Sequence, residues 1–275
     1  MYEAFYGLRE KPFSIQPDPG FLFMGKRHSM AYAMLEYSVV NRAGFTVISG
    51  DIGCGKTTLI RNLLNNLDGQ ALVGLVSNTH QEVTSLLEWV VLAFGLPYEG
   101  LSTVALYDTF QKFLVRQYGS GKRVLLIVDE AQNLSVSALE SLRMLSNINA
   151  DKDQLLQIIL VGQPQLKEVL RRPELRQLAQ RVSSHFFIPP LETGEVAAYI
   201  QHRLMVSGRM EPLFTSAANV RIAHFSRGVP RSINILCDTA LVYGFSEGLA
   251  RIDVGIIEDV VADQGEFGVF SMDQG

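Results

Sequence analysis

Cysteine is nearly absent from the chain: Cys54 and Cys237 stand far apart and form no Cys-x-x-Cys pair. That excludes a disulfide framework and gives no zinc-ligand spacing, and it fits a reducing compartment. Long apolar runs are missing as well, for a stretch such as Val124 to Val128 is far too short to cross a bilayer. The opening MYEAFYGLREKPF carries Glu3 and no apolar h-region, so it does not read as a secretory signal. The expected location is therefore cytoplasmic, with peripheral docking at the inner membrane left open. Basic charge is not in excess either. With 24 Lys and Arg against 28 Asp and Glu, the formal net charge is −4, which argues against a broad nucleic-acid footprint but leaves room for a local basic stripe.

What is present is ordinary globular material. The chain has 275 residues and 47% hydrophobic content, enough for about two domains. Residues 1–25 are rich in Pro, Gly and aromatics and read as an irregular segment packed onto something larger, followed by a helix over 27–41. Short apolar runs at 44–49, 72–77, 123–128, 155–161 and 185–188 read as strands, and helical periodicity separates most of them, notably at 56–67, 82–94 and 106–118. Strands that are apolar on both faces and alternate with helices predict a parallel sheet covered by helices. Beyond Pro189-Pro190 the pattern is helical only, over 195–207, 217–225, 230–247 and 254–262. The expected organisation is an α/β domain over 1–190, a small all-helical domain over 191–262 and a fraying tail over 263–275.

Between the first strand and its helix lies GDIGCGKTT, Gly50 to Thr58. The pattern G-x-x-x-x-G-K-[ST] is a phosphate cradle: Gly50 and Gly55 permit tight turns, and the backbone N–H groups of Asp51, Ile52, Gly53 and Cys54 with the following helix N-terminus can face an anion. Lys56 can reach the β- and γ-phosphates, Thr57 offers a hydroxyl to Mg²⁺, and Thr58 closes the motif. Farther along, VLLIVDEAQ is an apolar strand ending in two acids. Asp129 suits the Mg²⁺ shell, and Glu130 suits the general base that activates water. The alternative role for these acids is capping the segment that follows.

Gln163, at the end of LLQIILVGQP, is a candidate to orient the water or touch the γ-phosphate; otherwise it is a turn residue before Pro164. Asn78, after LVGLVS, could hydrogen-bond Glu130 and hold it off until a partner binds; otherwise it is an ordinary turn Asn. Arg231 in SRGVPRSIN and Arg181 in LAQRVSS carry the delocalised charge that suits a developing phosphoryl transition state, Arg231 within its own chain and Arg181 in a neighbour. Arg176 is the rival for the second role, and a surface salt bridge is the bland reading of each.

These motifs, with the opening FYGLREKPFSIQPDPGFLF and His28, SNTH, IVDEAQNLS, ILVGQPQL, RRPELRQLAQR and GVPRSINILCDTAL, resemble the AAA+ ATPases of the ExeA/GspA secretion-ATPase family. The similarity spans nearly the whole chain and is greatest to a compact branch found in exopolysaccharide and PEP-CTERM/exosortase loci. It implies a P-loop NTPase αβα sandwich with a five-stranded parallel sheet and a helical lid, ATP and Mg²⁺ as cofactors, and a ring or filament of subunits. Gln163 would then be sensor 1, Arg231 sensor 2 and Arg181 the trans finger, while Pro12 and Phe13 would line the adenine pocket. Larger members continue into a membrane span and a peptidoglycan-binding domain; this sequence shows neither, which argues against a direct role at the cell wall.

Three further residues have two readings. Cys54 is either a filler or, beside Lys56, an oxidation-prone thiol. Trp89 falls on the apolar face of a helix, as core or interface, and His28 either touches the base or caps its helix. The expected function is ATP hydrolysis coupled to an export assembly for polysaccharide or protein. The alternatives are a DNA-bound AAA+ adaptor resembling TniB-like transposition regulators, and a nucleotide-dependent scaffold without turnover.

Overall fold

The computed structural model describes residues 1–267 apart from 68, 70, 78–85 and 151–152. Helices α1 (Tyr2–Tyr6) and α2 (Lys26–Val40) precede strand β1 (Phe45–Gly50) and helix α3 (Lys56–Asn66). Strand β2 (Ala71–Val76), helices α4 (Leu86–Ala93) and α5 (Thr103–Gly119), strand β3 (Arg123–Val128) and helix α6 (Val136–Leu145) follow. A short hairpin, β4 (Asn149–Ala150) with β5 (Asp153–Gln154), leads into β6 (Leu156–Gly162), α7 (Gln165–Leu170), α8 (Arg176–Ala179) and β7 (Val182–Ile188). The rest is helical: α9 (Thr193–Val206), α10 (Ser216–Ser226), α11 (Pro230–Ser246) and α12 (Val254–Phe267).

Five strands form one parallel sheet in the order β2-β3-β6-β1-β7. The fold is thus the expected P-loop α/β class. Strands β3 and β6 lie inside this order and are buried on both faces, which is why they read as unbroken apolar runs. On one face Val124, Leu126, Val128, Leu156, Ile158 and Leu160 join the side chains of α4, α5 and α6 in a single core. The opposite face is met by α2, where Gln157 donates to the Val39 carbonyl at 3.1 Å and Ser38 shares a 2.9 Å hydrogen bond with Ser184. Edge strand β7 alternates in exposure along its length, and this weaker apolar signal explains why its sequence-read start falls three residues late.

Helix starts are set by local caps. Ser102 accepts from the Ala105 N–H at 3.3 Å and so begins α5 three residues before the apolar periodicity; Ser135 does the same for α6 through Ala138 at 3.1 Å. Helix α6 was not delimited from the sequence, although Leu139, Leu142 and Leu145 recur on its buried side.

The chain divides into two compact units. One comprises Met30–Asp51 and Leu63–Ile188 and holds the sheet; the other comprises Met1–Ser29, Ile52–Asn62 and the residues from Pro189 onward. In the second unit Tyr2, Tyr6, Leu8 and Phe13 enter the same core as Ile200, Phe214, Leu236 and Ile257. The Glu195 carboxylate there serves two helix starts, accepting from Glu192 N–H at 3.0 Å and from Lys26 N–H at 2.9 Å. Arg203 is buried. Its guanidinium donates to the carbonyls of Pro12 and Ser14 and to the Tyr199 hydroxyl, and lies over the Phe21 ring at 4.6 Å.

Candidate active site

Strand β1 ends at Gly50, where a larger residue would not fit: a Cβ would stand 2.6 Å from the Ile188 carbonyl oxygen. Gly53 and Gly55 take φ of 83° and 89°, a left-handed backbone that glycine adopts without steric cost. Helix α3 then opens at Lys56, and Leu59 N–H closes its first turn on the Gly55 carbonyl at 2.9 Å. The N-terminus of α3 therefore directly follows the glycine loop, as anion binding by backbone N–H groups requires.

His28 and Arg231 both contact this loop. His28, 4% exposed, has Nε2 at 3.0 Å from the Cys54 carbonyl. A carbonyl only accepts, so Nε2 carries the proton and donates. The backbone N–H of Arg231 donates to the Gly53 carbonyl at 3.2 Å, at the first turn of α11. Arg231 is placed there by the turn before it. Gly228 has φ of 73°, a Cβ on it would stand 2.0 Å from the Leu191 carbonyl oxygen, and Pro230 occupies the first helical turn. The Arg231 side chain is exposed.

Lys56 is only 7% exposed, Thr57 and Thr58 are half-buried, and Asp51 and Ile52 are exposed. Cys54 is fully buried, which favours the filler reading over an accessible thiol. Pro12 and Phe13 are buried; the Phe13 ring meets the edge of Phe214 at 5.8 Å inside the helical core. Trp89 is partly exposed on α4.

In the sheet unit, Asp129 and Glu130 emerge from the end of β3. Asp129 N–H donates to the Val76 carbonyl at 2.8 Å, which continues the β2–β3 pairing to the acid pair. Glu130 is one of three non-glycine residues with positive φ, at 52°, among the described residues. That conformation is uncommon for a side-chain-bearing residue and marks a constrained position. Its N–H donates to Asp129 Oδ1 at 2.9 Å, and its Oε2 accepts from two amides, Gln163 Nε2 at 3.2 Å and Gln132 Nε2. Gln132 Oε1 in turn accepts from the Gln163 backbone N–H at 2.9 Å.

The structure thus brings Asp129, Glu130 and Gln163 together and adds Gln132. In the sequence that residue stands inside DEAQ, where the adjacent acids carry the recognisable chemistry and nothing local marks the glutamine. Asn78 lies outside the described residues. Arg181 is half-buried, and its Nη1 donates to Ser146 Oγ at 2.9 Å at the C-cap of α6, whereas Arg176 at the start of α8 is exposed. Buried Ser49 on β1 is 2.7 Å from His185 Nε2 on β7. Burial, with Lys167 and Arg171 nearby, holds the His185 pKa below its ordinary value.

Each unit, taken by itself, carries donor types that fit a nucleotide with Mg²⁺. In one, the left-handed glycines form a loop that a Cβ would obstruct at Gly53 and Thr57 supplies a hydroxyl; in the other, Asp129 supplies a carboxylate, and both are hard oxygen donors of the type Mg²⁺ takes beside phosphates and water.

A family described as AAA domain matches residues 40–170. The chain is 41% identical over 260 residues to General secretion pathway protein A of Aeromonas hydrophila, an alignment covering 94% of this chain and 47% of that protein. It therefore spans about half the length of that curated relative. Among solved structures it is similar to Aeropyrum pernix ORC2 in ADPNP–ADP complexes, with TM-score 0.71, 16% identity and coverage of 92% of this chain and 71% of that one. It is also similar to Aeropyrum pernix ORC1 in complex with DNA, with TM-score 0.68, 17% identity and coverage of 92% and 69%. At such identities the likeness concerns the fold alone. Fold and motifs define an AAA+ P-loop protein. Within that class the chain belongs to the ExeA/GspA family.

Proposed function

We propose that this chain is a Mg²⁺-dependent ATPase whose subunits assemble on ATP into a ring or filament and drive or regulate an export assembly for polysaccharide or protein. The observation that carries the enzymatic part is the Glu130 carboxylate, held by Gln132 and Gln163 at the end of β3 on a left-handed backbone. A nucleotide-dependent scaffold has no use for a water-activating carboxylate kept in so constrained a position.

In this reading the loop Gly50–Thr58 cradles the phosphates and Lys56 places its charge on the β- and γ-oxygens. Thr57 and Asp129 hold Mg²⁺, which when bound neutralises phosphate charge. Glu130 takes the proton of the attacking water, and Gln163 orients that water or the γ-phosphate. Arg231 stabilises the transition-state charge within its chain, and Arg181 does so in a neighbour, with Arg176 as its rival. Pro12 and Phe13 border the adenine, and Asn78 restrains Glu130 until a partner binds. Likeness to a general secretion pathway protein supports the export role, and a location at the cytoplasmic face of the inner membrane fits it. Among the described residues no helix is long and apolar enough to cross a membrane.

Purified protein should turn over ATP with Mg²⁺, Glu130→Gln should bind ATP without turnover, and Lys56→Ala should lose binding. No turnover, or turnover indifferent to Glu130→Gln, removes the enzymatic reading. Affinity capture with ATP-loaded Glu130→Gln should bring down glycan polymerisation or export components; capture of transposase or DNA removes the export reading.

A further inference from the structure

We propose that Gln132 is a positioning residue for ATP hydrolysis: its carboxamide ties the general base Glu130 to the end of β6 and fixes the direction in which the carboxylate meets water. The inference rests on the ATPase reading and extends it to a residue outside the phosphate loop, the acid pair and the sensors.

The geometry is specific to both ends of one side chain. The Nε2 of Gln132 donates to Glu130 Oε2, and its Oε1 accepts from the Gln163 N–H at 2.9 Å. Amide donor and acceptor are both used, so the amide cannot flip without setting a donor against the Gln163 N–H and an acceptor against the carboxylate. The Gln163 side chain reaches the same Oε2 at 3.2 Å. Glu130, Gln132 and Gln163 therefore form a closed ring of hydrogen bonds linking the ends of β3 and β6, which lie side by side in the sheet.

The neighbouring backbone is shaped for this ring. Gly162 precedes Gln163, and a Cβ on it would stand 2.7 Å from Gln132 Oε1. Glycine there admits the carboxamide to the strand end. Glu130 has φ of 52° and Asn133 N–H donates back to its carbonyl at 3.0 Å, so the chain turns at once and returns Gln132 to the acid it follows. A carboxylate on an unusual backbone needs such external restraint to keep one orientation.

The chemical consequence is positional. A general base works within hydrogen-bond reach of the proton it takes, and displacement by about 1 Å can cost on the order of 100-fold in rate. Gln132→Met keeps the length and removes both bonds. It should lower kcat on the order of 100-fold while leaving ATP affinity within about twofold, because no phosphate or base contact is lost. Gln132→Glu keeps an acceptor for Gln163 N–H but sets a second carboxylate against Glu130. With the donor to Glu130 gone, it should lower kcat about as far as Gln132→Met does, again without a comparable loss of ATP affinity.

The experiment measures kcat and ATP affinity separately for wild type, Glu130→Gln, Gln132→Met and Gln132→Glu, with thermal unfolding as a check on folding. If Glu130→Gln abolishes turnover while both Gln132 variants match wild type, the positioning role is overturned and the ATPase reading stands. If Glu130→Gln leaves turnover intact, the ATPase reading falls and takes this one with it. Should Gln132→Met fail to fold, the near-isosteric Gln132→Glu decides: an unchanged kcat overturns the proposal.

Discussion

The backbone N–H of Arg231 donates to the carbonyl of Gly53, and an added Cβ on Gly53 would stand 2.5 Å from the Cβ of Arg231. The tip of the phosphate loop and the first turn of α11 therefore touch main chain to main chain. The conformation of one is tied to the position of the other through a contact that admits no methyl group.

Gly53→Ala should accordingly lower nucleotide affinity at least tenfold and reduce thermal stability. The left-handed φ alone costs alanine about 1–2 kcal/mol, and relief of the clash must move either the loop or α11. Titration with a fluorescent ATP analogue measures the first effect and thermal unfolding the second. Gly119→Ala is the control, because a Cβ there meets nothing within 4 Å. Unchanged affinity in Gly53→Ala would mean the loop does not need its observed shape.

Arg203 offers a second test, on the helical unit. Its guanidinium is buried and satisfies the Pro12 and Ser14 carbonyls and the Tyr199 hydroxyl while lying over Phe21. Arg203→Met leaves those acceptors unsatisfied and should cost about 2–4 kcal/mol, read as a lower urea midpoint with unchanged slope. Arg203→Lys should rescue little, since a point ammonium cannot fork to separate carbonyls. Loss of under about 0.5 kcal/mol, the surface-residue range, would show that the N-terminal segment is held by its aromatic contacts instead.

These two sites show what the sequence could and could not disclose. The glycine loop and the acid pair were legible because each is a local pattern whose chemistry depends on adjacent residues, and the inner strands were legible because burial on both faces leaves an apolar run. Arg203 sits in an amphipathic helix with nothing local to mark it, since its partners Pro12 and Ser14 lie at the other end of the chain. Gln132 was visible as a letter, but its task depends on the parallel pairing of β3 with β6, which carries Gln163 to its side. Edge strand β7 lacked the apolar signal of its inner neighbours for the same physical reason that it is half exposed.

Arg181 and Arg176 predict different outcomes in mixed assemblies. If Arg181 acts in trans, Arg181→Ala should lower turnover at high protein concentration on the order of 1000-fold, and admixture of Lys56→Ala subunits, which retain the arginine, should restore part of it. Ser146→Ala removes the in-chain partner of Arg181, bonded at 2.9 Å, and should leave turnover within a few-fold. The exposed Arg176 takes the role instead if Arg176→Ala shows the loss and the recovery while Arg181→Ala does not.

Burial of His185, which lies 2.7 Å from Ser49 on the neighbouring strand, makes stability depend on pH. Burial comes first among the causes that lower the His185 pKa, followed by the charges of Lys167 and Arg171, so the folded state disfavours the imidazolium relative to the unfolded chain. With the folded pKa below the ordinary imidazole value of about 6.5, the unfolded state binds more protons as pH falls, and the contribution of neutral His185 is fully present above that value and lost progressively below it. Wild-type protein should therefore lose urea resistance between pH 7 and pH 5 more steeply than His185→Gln, which cannot titrate, and the two slopes should agree above pH 7. Parallel profiles across the whole range would show that His185 takes up its proton as readily in the folded protein as in the unfolded chain.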